Sequence, residues 1–143
     1  MSRAKDVGTR AESAVAAYLG GERRPQTGSR DQGDVWAYGG RVVVEVKSRR
    51  EHHTLAAVRV WLGQAEREAQ NAADVRTLVD MALLVVKRVG SGPANVGDWH
   101  AYMSPQTAAW LLTGTWADVD GAPWGTTLEE VRRRLDDRYG ATR

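Results

Sequence analysis

The chain has no cysteine and no phenylalanine. Without thiols, disulfides and thiolate metal sites are excluded. Without Phe, the six tryptophans must fill much of the aromatic core. No apolar run approaches the roughly 18 residues of a membrane span, so no membrane partner is expected. The first residues lack the apolar h-region of a secretory leader, so a cytoplasmic location is expected. There are no internal repeats and no low-complexity segments. Neither sign of charge dominates, the formal net charge being +2. What is present is ordinary for one globular domain of 143 residues: 42% hydrophobic and 27% charged side chains. The distribution of charge says more than its sum. Residues 1–50 carry ten Lys and Arg against six Asp and Glu, while residues 51–143 carry ten against twelve. The basic excess could contact phosphates, and it reads equally as a solvated surface.

The most informative stretch runs from Gly33 to Lys47. Two runs rich in Val, Trp and Tyr flank Gly39-Gly40, the signature of a β-hairpin whose turn needs positive φ. A turn on that pair sets Trp36 opposite Val43 and Asp34 opposite Glu45, and a four-residue loop centred there keeps the register. Cβ atoms of directly opposed residues lie about 5 Å apart, where like charges destabilise. A bound divalent cation would turn this repulsion into a ligand set, because hard cations take carboxylate oxygens. Side chains alternate, so Val43, Glu45 and Lys47 share the face that carries Asp34. A lysine beside two such carboxylates suits metal-assisted phosphodiester hydrolysis.

Elsewhere, Ala11, Ala14, Val15, Tyr18 and Leu19 recur at helical spacing, and Gly20-Gly21 ends the pattern. A short extended piece is expected around Arg23–Gln26. A helix is predicted over about Ala56–Ala72, with Val58, Leu62, Ala65, Ala69 and Ala72 on its apolar face. A buried strand is predicted at Met81–Val89 and another at Trp99–Met103. Ser104-Pro105 starts a helix that ends near Gly114. Residues 114–125 read as a connection, and Thr127 with Glu130 as a capping box for a last helix to about Arg138. The fold class is therefore α/β, one mixed sheet flanked by helices.

Asp34, ten intervening residues, then Glu45-Val46-Lys47 resembles the PD-(D/E)xK nuclease signature. The order αβββαβ resembles the restriction-endonuclease-like core of that superfamily. Gly8-Thr9-Arg10-Ala11-Glu12, Gly28-Ser29 and Glu45-Val46-Lys47-Ser48-Arg49 make the chain most similar to archaeal-type and phage Holliday junction resolvases. Gly33 stands where the family name has its proline. The resemblance covers roughly residues 3–103. On it, residues 1–113 form the nuclease-like domain and 114–143 a loop-and-helix extension of that domain. The resemblance implies a Mg²⁺- or Mn²⁺-dependent DNA endonuclease that cuts four-way junctions as a homodimer. It implies that Asp34 and Glu45 bind metal with the Val46 carbonyl, that Glu12 is a third acid there, and that Lys47 positions water or stabilises the transition state. Ser29 and Gln64 would lie near the scissile phosphate. Lys5, Arg10, Arg30, Arg49 and Arg50 would contact the DNA backbone.

Blander readings stand beside these. Thr9 to Glu12 is equally a capping box. Ser29 is a common turn residue, and Gln64 fits an exposed helix position. His52 and His53 lack partners at zinc-ligand spacing, and His100 fits a strand surface. Trp61, Trp99 and Trp110 read as core, whereas Trp36 either packs under the first helix or meets substrate. The segment from Trp110 to Trp124 is a candidate dimer contact. Two rival functions use the same scaffold: a nuclease acting on linear or replication-intermediate DNA, and a non-catalytic nucleic-acid-binding protein.

Overall fold

The structure, a computed structural model, describes residues 3–24, 31–75 and 78–140. Its elements are α1 (Arg3–Leu19), β1 (Glu22–Arg23), β2 (Val35–Ala37), β3 (Val42–Lys47), α2 (Leu55–Val75), β4 (Met81–Val86), β5 (His100–Met103), α3 (Pro105–Thr113), β6 (Trp124–Thr127) and α4 (Leu128–Tyr139), with a 3-10 segment at Pro93–Asp98 before β5. The six strands form one sheet in sequence order. All neighbours are antiparallel except β3 and β4, which are parallel and joined through α2. A parallel pair needs such a crossover, and its strands are covered on both faces. Hence β4, Met-Ala-Leu-Leu-Val-Val, is buried along its whole length.

Alternation in the strands divides the core into two layers. Val35, Ala37, Val42, Val44, Val46, Leu83 and Val85 face α1, α3 and α4, where they meet Val15, Leu19, Trp110, Val131 and Leu135. Trp36, Val43 and Ala82 face the opposite way, against Ala65, Ala69 and Ala72 of α2. Trp36 thus packs beneath α2 and not beneath the first helix. The run of alanines on α2 lets the helix approach the sheet closely enough to cover an indole. Trp99 is fully buried, and Trp110 nearly so.

The hairpin joins β2 to β3 with Trp36 opposite Val43 and Val35 opposite Val44. Its connection is the four-residue form, Tyr38 to Arg41, with Tyr38, Gly39 and Gly40 all at positive φ (54°, 70° and 85°). The two glycines take that conformation without steric cost. Tyr38 does not, and its hydroxyl donates to Asp136 Oδ1 of α4 at 2.8 Å, which holds the loop against the helix.

Several expectations are corrected here. Since α1 already starts at Arg3, Thr9 lies inside the helix and Thr9–Glu12 is not an N-terminal capping box. The extended piece near Arg23 is only Glu22–Arg23; Pro25 and Gln26 lie outside the described residues. The strand predicted to Val89 stops at Val86. Trp124 and Gly125, read as the end of a connection, belong to an edge strand, Trp124–Thr127, paired with β5. This strand extends the sheet, and α4 packs into the core, with Leu128, Val131 and Leu135 fully buried. The Ser104 cap and the Gly114 stop of α3, at φ 81°, are present as read. Thr127 caps α4 through Glu130 N–H.

Candidate metal centre

Register places the acids. Asp34 immediately precedes β2, and its N–H donates to Val44 O at 2.9 Å. Its side chain turns back to β3, where Oδ2 accepts from Val46 N–H at 2.8 Å. In an extended strand a residue's N–H and C=O point to the same side, so the Val46 carbonyl opens towards the Asp34 side of β3. Asp34 and Glu45 are neighbours. The burial of Asp34, and then the charge of Glu45, push its carboxyl up to about 8, against which the Val46 N–H pulls down.

Two further acids join them. Glu68 comes from the buried face of α2, one turn after Gln64, and is only 3% exposed. Asp31 comes from the loop before β2. That loop is fixed by Gly33 N–H donating to Asp31 Oδ1 at 2.9 Å and by Asn71 of α2 donating to the Asp31 carbonyl at 2.7 Å. One oxygen each of Asp31, Glu45 and Glu68 lies within 4.8 Å of the other two. Burial, then contact with Glu45, then contact with Asp31 push the Glu68 carboxyl up to about 10. Gly33, at φ 96°, makes the turn possible. A Cβ there would stand 2.6 Å from Val43 Cγ1.

Few cationic or N–H donors reach this cluster. Lys47 Nζ lies 2.9 Å from Glu45 Oε2. Gln64 Nε2 donates to Glu45 Oε2 at 3.1 Å and to Glu68 Oε2 at 3.2 Å. The remaining oxygens, Glu45 Oε1 and Glu68 Oε1, are buried and accept from no donor among the described residues. Leaving such groups unmatched costs about 1–3 kcal/mol each, and more for charges. This is an oxygen-only donor set that attracts a hard divalent cation. A cleft of about 440 Å³, lined by Asp31, Gln64, Glu68 and Asn71 among others, borders the cluster.

The sequence-predicted residues fall into four groups. Asp34, Glu45, Val46, Lys47 and Gln64 come together. Glu12 lies at the margin: Arg23 Nε holds it at 2.9 Å, and its charge is the smallest of the contributions raising Asp34. Lys5, Arg10, Arg49 and Arg50 are exposed, and the Arg49 guanidinium lies 5.4 Å from the centre of the Trp61 ring. Ser29 and Arg30 lie outside the described residues. Part of the basic excess is spent internally, since Arg23 pairs with Glu12, Arg24 with Glu22 and Arg41 with Asp80. Among the described residues no histidine joins a metal-ligating group. His53 is hydrogen-bonded to the Tyr102 hydroxyl at 2.6 Å, and His100 stands edge-on to it.

Asp31 and Glu68 were missed by sequence reasoning. Glu68 did leave a signal. It falls three residues after Ala65, on the stripe otherwise made of Leu62, Ala65, Ala69 and Ala72. A carboxylate on an apolar stripe, with an amide four residues earlier, has to be matched by something in the core. Asp31 left none, since loop aspartates are common turn residues.

No helix among the described residues is long and apolar enough to cross a membrane. No protein-family model, curated protein or solved structure matches the chain.

Proposed function

We propose that this chain is a metal-dependent endonuclease acting on DNA, with the four-way junction as its preferred substrate. The observation that carries the reading is the meeting of half-buried Asp34, just before β2, with buried Glu45 of β3, and Lys47 beside them. We take the order α1, β1, β2, β3, α2, β4 as the restriction-endonuclease-like core, with β5, α3, β6 and α4 added to it. The donor set fits Mg²⁺ or Mn²⁺: hard oxygen ligands, few of them, next to an open cleft. Asp34, Glu45 and the Val46 carbonyl would hold the cation. Bound there, it supplies neutralising charge and a water of lowered pKa.

The chain's own groups do the rest. Val46 N–H fixes one Asp34 oxygen, which aims the other at the site. Gln64 fixes Glu45 and Glu68 together. Lys47 lies against Glu45 and can turn its ammonium to a non-bridging phosphate oxygen, where negative charge grows as water attacks phosphorus. The bond to the 3′ oxygen breaks, leaving a 3′-hydroxyl and a 5′-phosphate. Exposed Lys5, Arg10, Arg49 and Arg50 follow the backbone, so affinity falls steeply with salt. Shape, and not base sequence, sets the choice of substrate. A homodimer would place two nicks symmetrically.

The test uses labelled four-way junction, fork, linear duplex and single strand, each with Mg²⁺ and with EDTA. Paired symmetric nicks in the junction, lost in Asp34→Ala and Lys47→Ala, are the expected result. Cleavage of linear DNA instead would move the substrate to the rival nuclease class. Binding with no cleavage under any metal would leave a nucleic-acid-binding protein. Full activity in Asp34→Ala would overturn the site.

A further inference from the structure

We infer that a divalent cation binds between Asp31, Glu45 and Glu68, separate from the position that Asp34 and the Val46 carbonyl define, with Glu45 shared by the two. This inference shares Glu45 with the reading above and extends it from one cation to two. Three observations carry it, and none depends on a nuclease activity.

The first is spacing. Three carboxylate oxygens from three different segments lie within 4.8 Å of one another. Three oxygens spread evenly about one cation are about 3.6 Å apart at a metal–oxygen distance of about 2.1 Å, and about 4.5 Å apart at about 2.6 Å. Side-chain adjustments of under about 1 Å would close the set.

The second is the unmet demand of two buried atoms. Glu45 is 4% exposed and Glu68 3% exposed, and the Oε1 atom of each accepts no hydrogen bond among the described residues. Lys47 and Gln64, the donors that reach these two acids, both engage Oε2 atoms. Among the described residues the only other donors are protons kept by the acids themselves, and a divalent cation meets both atoms while releasing those protons.

The third is how the outer ligand is held and reached. Asp31 is pinned twice, through its Oδ1 by Gly33 N–H and through its carbonyl by Asn71. The cleft beside it gives a hydrated cation a route from solvent and leaves room for the water ligands that Mg²⁺ and Mn²⁺ retain. Asp34 is not among the three acids whose oxygens lie within 4.8 Å of one another. Glu12, the third acid that the family resemblance implied, is held by Arg23 instead.

The experiment counts ions on the full chain. Mn²⁺ is titrated into metal-free protein, with free Mn²⁺ followed by electron paramagnetic resonance and total heat by calorimetry. Wild type is expected to bind two Mn²⁺ and to show the multiline spectrum of a coupled pair. Glu68→Gln and Asp31→Asn should each lose one ion, or weaken it more than about tenfold, as the loss of supporting carboxylates does elsewhere. Asp31→Asn keeps the Oδ1 acceptor for Gly33 N–H, and Glu68→Gln keeps the side-chain shape. Circular dichroism of both variants verifies the fold. A single ion kept in Glu68→Gln and lost in Asp34→Asn would overturn this inference and leave the proposed function standing. A single ion lost in Glu68→Gln and kept in Asp34→Asn would support it and remove the Asp34 ligand role instead. No Mn²⁺ bound by wild type would overturn both.

Discussion

A buried cluster of acids makes the cation-free protein respond to pH in the opposite sense from most proteins. The Glu68 carboxyl, normally near 4.5, is raised to about 10 by burial and by its Glu45 and Asp31 neighbours, and Asp34 from 3.8 to about 8. The unfolded chain gives up both protons near pH 4, whereas the folded chain keeps them. Between those limits the native state binds more protons, so stability is greatest at low pH and falls as pH rises. Each retained proton contributes a slope of about 1.4 kcal/mol per pH unit. Between about pH 5.5 and about pH 7.5 one retained proton removes about 3 kcal/mol of stability, and two remove about 5 kcal/mol. Asp34 and Glu68 both owe part of their shift to the single Glu45 charge, so one retained proton, the lower figure, is the one expected. It is still a large share of the ~5–15 kcal/mol of a single domain. The assay is urea denaturation in EDTA across that pH range, with Glu68→Gln alongside. Wild type should lose about 3 kcal/mol, and the variant, having no proton to retain at that position, should respond less steeply. Saturating Mg²⁺ or Mn²⁺ should flatten the wild-type slope, because the cation displaces the protons and stabilises the native state by mass action. Stability in EDTA that is level, or that rises with pH, would mean that these carboxyls ionise freely in the folded chain. The reasoning from burial would then fail.

Two further outcomes concern the scaffold that holds the site. Gly33→Ala should destabilise by about 2–4 kcal/mol, combining positive-φ strain with overpacking against Val43, and should weaken cation binding with it, as urea midpoints and Mn²⁺ titration would reveal. Tyr38→Phe removes the 2.8 Å bond from the hairpin loop to Asp136 and should cost about 1 kcal/mol by the same denaturation assay; no change would show that the left-handed Tyr38 is held by packing alone.

The hairpin was legible because its information is local. Alternation fixed which side chains share a face, and Gly39-Gly40 fixed the centre of the turn. The loop is longer than two residues, but lengthening it symmetrically leaves Trp36 opposite Val43. Strand β6 was illegible for the converse reason. Trp-Gly-Thr-Thr has no alternation, and a glycine inside a strand reads as a break. Its place is set by the neighbouring strand. A Cβ at Gly125 would stand 2.7 Å from Cε1 of Tyr102, so the glycine makes room for a ring on β5. Such a fit exists only once the two segments are side by side.

The acids divide in the same way. Asp34 and Glu45 follow from hairpin register, whereas Asp31 and Glu68 meet them only after α2 has crossed the sheet. Glu68 is the more telling of the two. Where this chain buries or half-buries other charges, it supplies opposite ones: Arg23 for Glu12, Arg41 for Asp80, and Arg133 and Arg134 for Glu130. Beneath α2, among the described residues, four carboxyl groups meet with Lys47 and Gln64 as their side-chain donors. An alanine at position 68 would continue the stripe of Ala65, Ala69 and Ala72 and spare the desolvation of a carboxylate. Folding alone gives no reason to prefer Glu there. A cation does, because it converts the same burial from a cost into a low-dielectric pocket where each carboxylate binds it more strongly than it would in water.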